Sequence, residues 1–302
     1  MTTAGSFAPA VPRVPVEVGQ VLRLVPAAAD PARIAVSPHT GLHPWFPLSP
    51  CGAGCVDIQR DTVSAARAAG RLIRAALLAA GAACAWPTLL LGPGTWRSRF
   101  LALVSRQLLV ALGLRVEIDD RRAAGGPFAG LVVANHISYL DIAAITGVRP
   151  ARFVAKAEIA CTPGTAVPAK IFRPIPVERN SLRQLPATVG VVTERLGRGR
   201  SVAVFPEGTT RCGVGAGTFA PAFFQAAIDA QVPVLPIALS FTTVSGTCVA
   251  AAFIGDDTPW DTLRRVLRTR GLTVRVTVHD AQAPGTDRRE LAKRCERLIA
   301  VA

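Results

Sequence analysis

The sequence predicts an α/β protein, a central sheet flanked by helices, preceded by an N-terminal helical segment that associates with a membrane. Three observations carry this. From Leu114 onward, short apolar runs alternate with helical patterns. Ahead of them, residues 64–92 are apolar with arginines gathered at the start. The chain as a whole is both oily and basic: half its residues are hydrophobic, mean hydropathy is +0.36 and the net charge is +14.

The strands are expected at 115–119, 131–135, 152–156, 174–178, 201–205, 232–241, 248–254 and 273–278, each apolar and rich in β-branched residues or alanine. Helical patterns fall near 138–147, 181–196, 218–230, 258–270 and 286–301. In such a sheet the working loops leave the strand ends.

Upstream, "SAARAAGRLIRAALLAAGAACAWPTLLLG" (64–92) carries Arg67, Arg71 and Arg74 and then no charge, with Pro87 interrupting the apolar part. It is at the lower limit of length for a bilayer span; a buried core helix is the alternative. Residues 96–114 form an amphipathic pattern with Arg97, Arg99 and Arg106 on one face, which suits the headgroup region. Residues 1–64, rich in Pro and Ala, are expected to be irregular.

The positive charge comes from arginine, the lysines being Lys156, Lys170 and Lys293. Such a surface suits an anionic partner. With one tyrosine and no interleaving of basic and aromatic residues, no nucleic-acid partner is expected; oiliness plus charge favours membrane lipids. "MTTAGSFAPAVPRVP" lacks the apolar core of a secretory signal. Seven scattered cysteines fit reduced thiols on the cytosolic side. His39, His43, Cys51 and Cys55 are close enough in sequence to consider zinc, but Cys-x-x-x-Cys is looser than the usual zinc spacing, and no metal is assigned.

Two stretches carry chemistry. In "VANHISYLDI" (133–142), His136 follows an apolar strand, and Ser138 with Asp141 forms a helix-opening pattern. Asp141 either caps the helix or reaches back to fix one imidazole nitrogen and leave the other as a base. In "SVAVFPEGTTR" (201–211), a strand ends at Pro206 and then presents Glu207, Gly208, Thr209, Thr210 and Arg211, groups suited to phosphate and hydroxyl.

Together these stretches resemble the 1-acylglycerol-3-phosphate acyltransferase family. "NHISYLD" matches its H-x-x-x-x-D motif at His136 and Asp141, and Phe205 to Thr209 match F-P-E-G-T. "IPVERN" resembles the block whose arginine falls on Arg179, and "VPVLPIAL" the V-P-x-x-P block at Pro233 and Pro236. The four blocks stand in family order within residues 95–300. The resemblance implies the mixed sheet of the glycerolipid acyltransferase fold, with an irregular segment over 1–64, membrane-associated helices over 65–114 and a catalytic domain over 115–302. It implies transfer of an acyl chain from acyl-CoA or acyl carrier protein (acyl-ACP) to a lysolipid hydroxyl, at the cytoplasmic face of the inner membrane and without a further cofactor. His136 is then the base and Asp141 its support; Glu207, Gly208, Thr209, Arg179, Arg211 and Lys156 bind substrate. The chain departs from the family where Arg-Ser is replaced by Thr210-Arg211, where Phe-Lys-x-Gly is replaced by Phe219-Ala220-Pro221-Ala222, and in a short span between Lys156 and Arg179. These changes touch the acceptor, which is a lysophosphatidic acid or another lysolipid such as lyso-ornithine lipid. Of the rivals, an inactive lipid-binding protein does not explain the intact His136, Asp141 and Glu207. A serine or cysteine hydrolase lacks its Gly-x-Ser-x-Gly elbow, and Cys161 and Cys212 stand in no recognisable nucleophile setting.

Overall fold

The computed structural model describes residues 47–56, 61–123, 125–157, 173–178, 182–215 and 217–301. Among them, eight strands form one sheet: β1 (Arg115–Asp120), β2 (Leu131–Ala134), β3 (Arg152–Lys156), β4 (Ile175–Val177), β5 (Val202–Val204), β6 (Val234–Thr243), β7 (Gly246–Thr247) and β8 (Thr273–Val278). The order is β1-β8-β6-β2-β5-β3-β4, with β7 paired to β6. Strands β6, β2, β5, β3 and β4 run parallel; β8 turns against β6 and carries β1 parallel to itself, so the sheet is mixed.

The two faces are filled by the period of two. In β2, Val132 and Ala134 join one core while Leu131 and Val133 join the other; in β5, Ala203 faces the first and Val202 and Val204 the second. Buried on both sides, these central strands read as continuous apolar runs rather than alternating ones. The first core is closed by α1 (Ala65–Leu90), α2 (Gly94–Ala111), α3 (Leu140–Val148) and α6 (Pro259–Arg268). The second is closed by α4 (Leu185–Gly197), α5 (Phe224–Asp229) and α7 (Arg288–Ala300).

Two sequence expectations change. Residues 248–254 are no strand: Val249–Ala251 make a 3-10 turn, and Arg265 donates to the carbonyls of Ala250 and Ala252 in place of a neighbouring strand. An alanine run without β-branched bulk has little to hold it extended. The helix expected over 218–230 is reduced to Phe224–Asp229, because Pro221 stops it and Ala220 N–H is tied to the Pro206 carbonyl.

Helix α1 is capped by Ser64, whose hydroxyl accepts from Arg67 N–H, and it continues through Pro87 to Leu90. It is not a core helix. Only Ala68, Arg71 and Ala75 on it are buried, whereas Ile73 and Leu77 are 58% and 68% exposed and Leu91, just past its end, 93%. With 26 residues it is long and apolar enough to cross a membrane. Beyond the packing of Ala68 and Ala75, Arg71 ties it to the sheet domain: its Nη1 donates to the carbonyls of Leu267 and Thr269, both at 2.8 Å, at the C-terminal end of α6. Leu267 is among the last four residues of α6, whose carbonyls find no partner further along a helix, and a cation there also meets the negative end of its dipole. The guanidinium passes directly over Gly113, at φ +94°, where an added Cβ would lie 2.3 Å from Arg71 Cζ.

Candidate active site

Because β2, β5, β3 and β4 are parallel neighbours, their C-terminal ends share one edge of the sheet. His136 follows β2, Glu207 follows β5 and Lys156 ends β3, so residues far apart in sequence are gathered there. Asn135 locks the turn to β6: its side chain donates to Leu239 C=O at 2.9 Å and accepts from Leu239 N–H at 2.8 Å.

Asp141 makes contacts of both kinds, to the turn and to the imidazole. Its Oδ2 accepts from Ile137 N–H at 2.6 Å and Ser138 N–H at 2.9 Å, closing the turn before α3, and lies 2.9 Å from His136 Nδ1. The residue is fully buried. An oxygen gathering backbone donors is an ionised acceptor, so the proton between it and the imidazole is assigned to Nδ1. Nε2 then carries a lone pair. The ring keeps 16% of its side-chain surface open and rests on Phe205, with Phe153 of β3 stacked behind at 5.9 Å.

Glu207 acts as a brace. It is buried, with Oε2 accepting from His136 N–H at 3.3 Å and Oε1 from Gly217 N–H at 3.1 Å. Burial pushes its carboxyl above the usual carboxylate range; the His136 N–H, the Arg211 guanidinium and the Gly217 N–H pull the other way. Arg211 lies beside it, Nε 3.9 Å from Oε2, and its own N–H donates to the His136 carbonyl at 2.8 Å. Thus the guanidinium that stands one residue late in the motif is still held against the histidine turn. Gly208 has φ +70°, and an added Cβ would meet Pro47 at 3.0 Å. Thr209 is half-buried, and so is Lys156 at the end of β3. Arg179 follows β4 in sequence but lies outside the described residues, as do His39, His43 and Cys161.

Three parts of the site were missed by sequence reasoning. Phe205 stands in the sequence as a motif letter with no role assigned to its ring. Gly217 gives no sequence signal, yet a Cβ there would fall 2.5 Å from Arg211 Nε and 2.6 Å from Glu207 Oε1. The segment at 47–56 lies on the loop as well, with Ser49 Oγ donating to Thr210 C=O at 2.7 Å. Cys212 is a poor nucleophile, since burial pushes its thiol up to about 11.

The arrangement, a buried carboxylate holding an imidazole whose other nitrogen is available, beside a half-exposed guanidinium, can take a proton from a hydroxyl near an anionic group. Residues 114–240 match the family model described as Acyltransferase. The chain is 36% identical over 206 residues to a 1-acyl-sn-glycerol-3-phosphate acyltransferase of Neisseria meningitidis, covering 67% of this chain and 80% of that one. It is 32% identical over 178 residues to a lyso-ornithine lipid O-acyltransferase of Pseudomonas aeruginosa, 57% of this chain and 67% of that one. The crystal structure of the 1-acyl-sn-glycerophosphate acyltransferase of Thermotoga maritima superposes with a TM-score of 0.53 at 22% identity, covering 76% and 95% of the two chains, and shares the fold.

Proposed function

The chain belongs to the 1-acyl-sn-glycerol-3-phosphate acyltransferase family, and from that premise we propose that it moves a fatty acyl chain from acyl-CoA or acyl-ACP to the hydroxyl of 1-acyl-sn-glycerol-3-phosphate, giving phosphatidic acid. The observation that carries this is the 2.9 Å contact between His136 Nδ1 and Asp141 Oδ2 on a turn braced by Glu207. Nε2 takes the hydroxyl proton as the oxygen attacks the thioester carbonyl. A C–O bond forms, the C–S bond breaks, and the imidazolium returns its proton to the leaving thiolate. The buried Asp141 charge stabilises the imidazolium between these steps. No covalent enzyme intermediate and no further cofactor enters.

Arg211, and Arg179 by its place in the motif order, hold the acceptor's phosphate; a guanidinium fork suits it. Lys156 and Thr209 stand at the same edge, and Gly208 lets the loop turn close beside them. A second acceptor, lyso-ornithine lipid, is favoured by the relatives of that name and by Ala220 in place of the family lysine. The exposed apolar face of α1, its arginines and the +14 charge support work at the cytoplasmic face of the inner membrane.

The test offers purified protein labelled acyl-CoA with 1-acyl-sn-glycerol-3-phosphate or with lyso-ornithine lipid, beside His136→Ala. Labelled phosphatidic acid, formed about 10²–10⁴ times slower by the variant, is the expected result. Label released only as free fatty acid would sink acyl transfer. Acylation of lyso-ornithine lipid alone would make that the substrate.

A further inference from the structure

Beside the acyltransfer site lies a group of thiols that the reaction does not use. The Sγ atoms of Cys51, Cys55 and Cys212 all lie within 4.8 Å of one another. Cys55 ends a 3-10 turn, Ala53–Cys55, in which its N–H donates to the Gly52 carbonyl at 2.9 Å, and Cys51 lies just before that turn. The third comes from the loop that follows Phe205 to Thr209, 161 residues beyond Cys51. Cys212 N–H donates to Cys51 Sγ at 3.3 Å, which ties the loop directly to the first thiol. Cys212 is buried and its two partners half-buried. Cys84, Cys248 and Cys295 lie outside the group.

We propose that Cys51, Cys55 and Cys212 form a zinc(II) site that clamps the 47–56 segment onto the acceptor loop. Thiolates select soft or borderline metals, and Zn–S bonds of about 2.3 Å set neighbouring sulfurs about 3.8 Å apart, a small inward movement from the spacing here. Binding displaces three thiol protons to solvent. A solvent oxygen completes the tetrahedron. Three thiolates more than cancel the ion's charge, which makes it a weak Lewis acid, so its role is structural. The clamp acts where it matters: Pro47 lies where a Cβ on Gly208 would meet it, Ser49 bonds the Thr210 carbonyl, and Arg211 immediately precedes Cys212. Sequence alone gave no reason to join Cys212 to the Cys51–Cys55 pair, since only the fold brings β5's exit loop over that turn.

The full chain, purified with a non-chelating reductant and incubated with zinc(II) alone, is freed of unbound metal and assayed by atomic emission. About one zinc per chain is expected. Cys51→Ser, Cys55→Ser and Cys212→Ser should each lose it, and Cys84→Ser should keep it. Cobalt(II) in place of zinc should give the intense near-ultraviolet thiolate band and visible bands of a tetrahedral site, both absent from Cys55→Ser. Should Cys212→Ser fail to fold, judged by circular dichroism, Cys55→Ser on the half-buried turn decides alone. Wild-type protein that retains no zinc overturns the proposal. Equal retention by Cys51→Ser and Cys55→Ser does so too, as does a disulfide between any two of the three thiols that excludes the metal in freshly isolated protein.

Discussion

The imidazole of His136 lies flat on the ring of Phe205, centroids 3.9 Å apart and planes 10° from parallel. His136 leaves β2 and Phe205 leaves β5, and these strands pair in parallel, so strand register places one ring over the other. A stacked ring pair is worth about 0.5–1.5 kcal/mol beyond the area it buries, and here it fixes the plane in which the imidazole lies. Phe205→Leu keeps the bulk and removes the ring face. It should lower kcat by about 2- to 12-fold, with both KM values little changed. An unchanged kcat would reduce the ring to packing.

Asp141 invites a finer experiment than deletion. Asp141→Asn keeps an oxygen for the Ile137 and Ser138 N–H groups but loses the charge that orients His136. Turnover should fall about 10²–10⁴-fold while the protein stays folded. Asp141→Ala should lose the turn as well, adding roughly 1–3 kcal/mol of destabilisation from the buried N–H groups left unpaired. If both variants melt alike, the carboxylate does not close the turn.

Gly217→Ala tests the brace. The new methyl would press on Arg211 and Glu207 together. The acceptor's KM should rise about tenfold, equal to about 1.4 kcal/mol, with the thioester's KM nearly constant. Steady-state kinetics with each substrate varied in turn decides it, and a rise confined to the thioester would detach Arg211 from the acceptor.

On the opposite edge of the sheet, His279 is buried with Nε2 unpaired, in a cavity lined also by Arg121, Arg294 and Arg297. Burial first, then Arg121, holds its pKa below 6.5, against the weaker pull of Asp119 and Asp280. The folded state therefore binds fewer protons than the unfolded one below pH 6.5. Stability is full above that pH and falls as pH drops from 6.5 toward the depressed value. His279→Gln should flatten this acid slope in thermal melts taken between about pH 7 and 5. A slope as steep as wild type would assign the loss to other groups.

Helix α1 offers a fifth test. Leu77→Glu changes a residue 68% exposed, so the melting of the protein in detergent should hardly move, while its share in the membrane fraction falls. Undiminished membrane retention would place the anchor elsewhere.

What could be read from the sequence was what is local or periodic. The His136–Asp141 pair spans five residues, and its geometry follows from one strand-to-helix turn; of the expected strands all but 248–254 form, while the two-residue β7 gives no periodic signal. The long-range parts were not legible. The ring of Phe205 beneath His136, the Gly217 N–H on Glu207 and the thiol of Cys212 beside Cys51 each depend on which strand ends become neighbours. Strand order is a property of the sheet and of no single segment. The exposure of α1 was ambiguous for a related reason: alanine-rich helices suit a core and a lipid surface alike, and only the absence of packing around Ile73 and Leu77 separates them.

The two hydrogen bonds from Arg71 to the carbonyls of Leu267 and Thr269 tie α1 to the catalytic domain. A catalytic domain gripped this way in a lipid sheet meets its acceptor by lateral diffusion in two dimensions, and a lysolipid never has to leave the bilayer to be found. The quantity that saturates the enzyme is then an areal density. Thinning the lysolipid with inert lipid slows the reaction, whereas diluting whole vesicles in buffer leaves each bound enzyme's rate as it was.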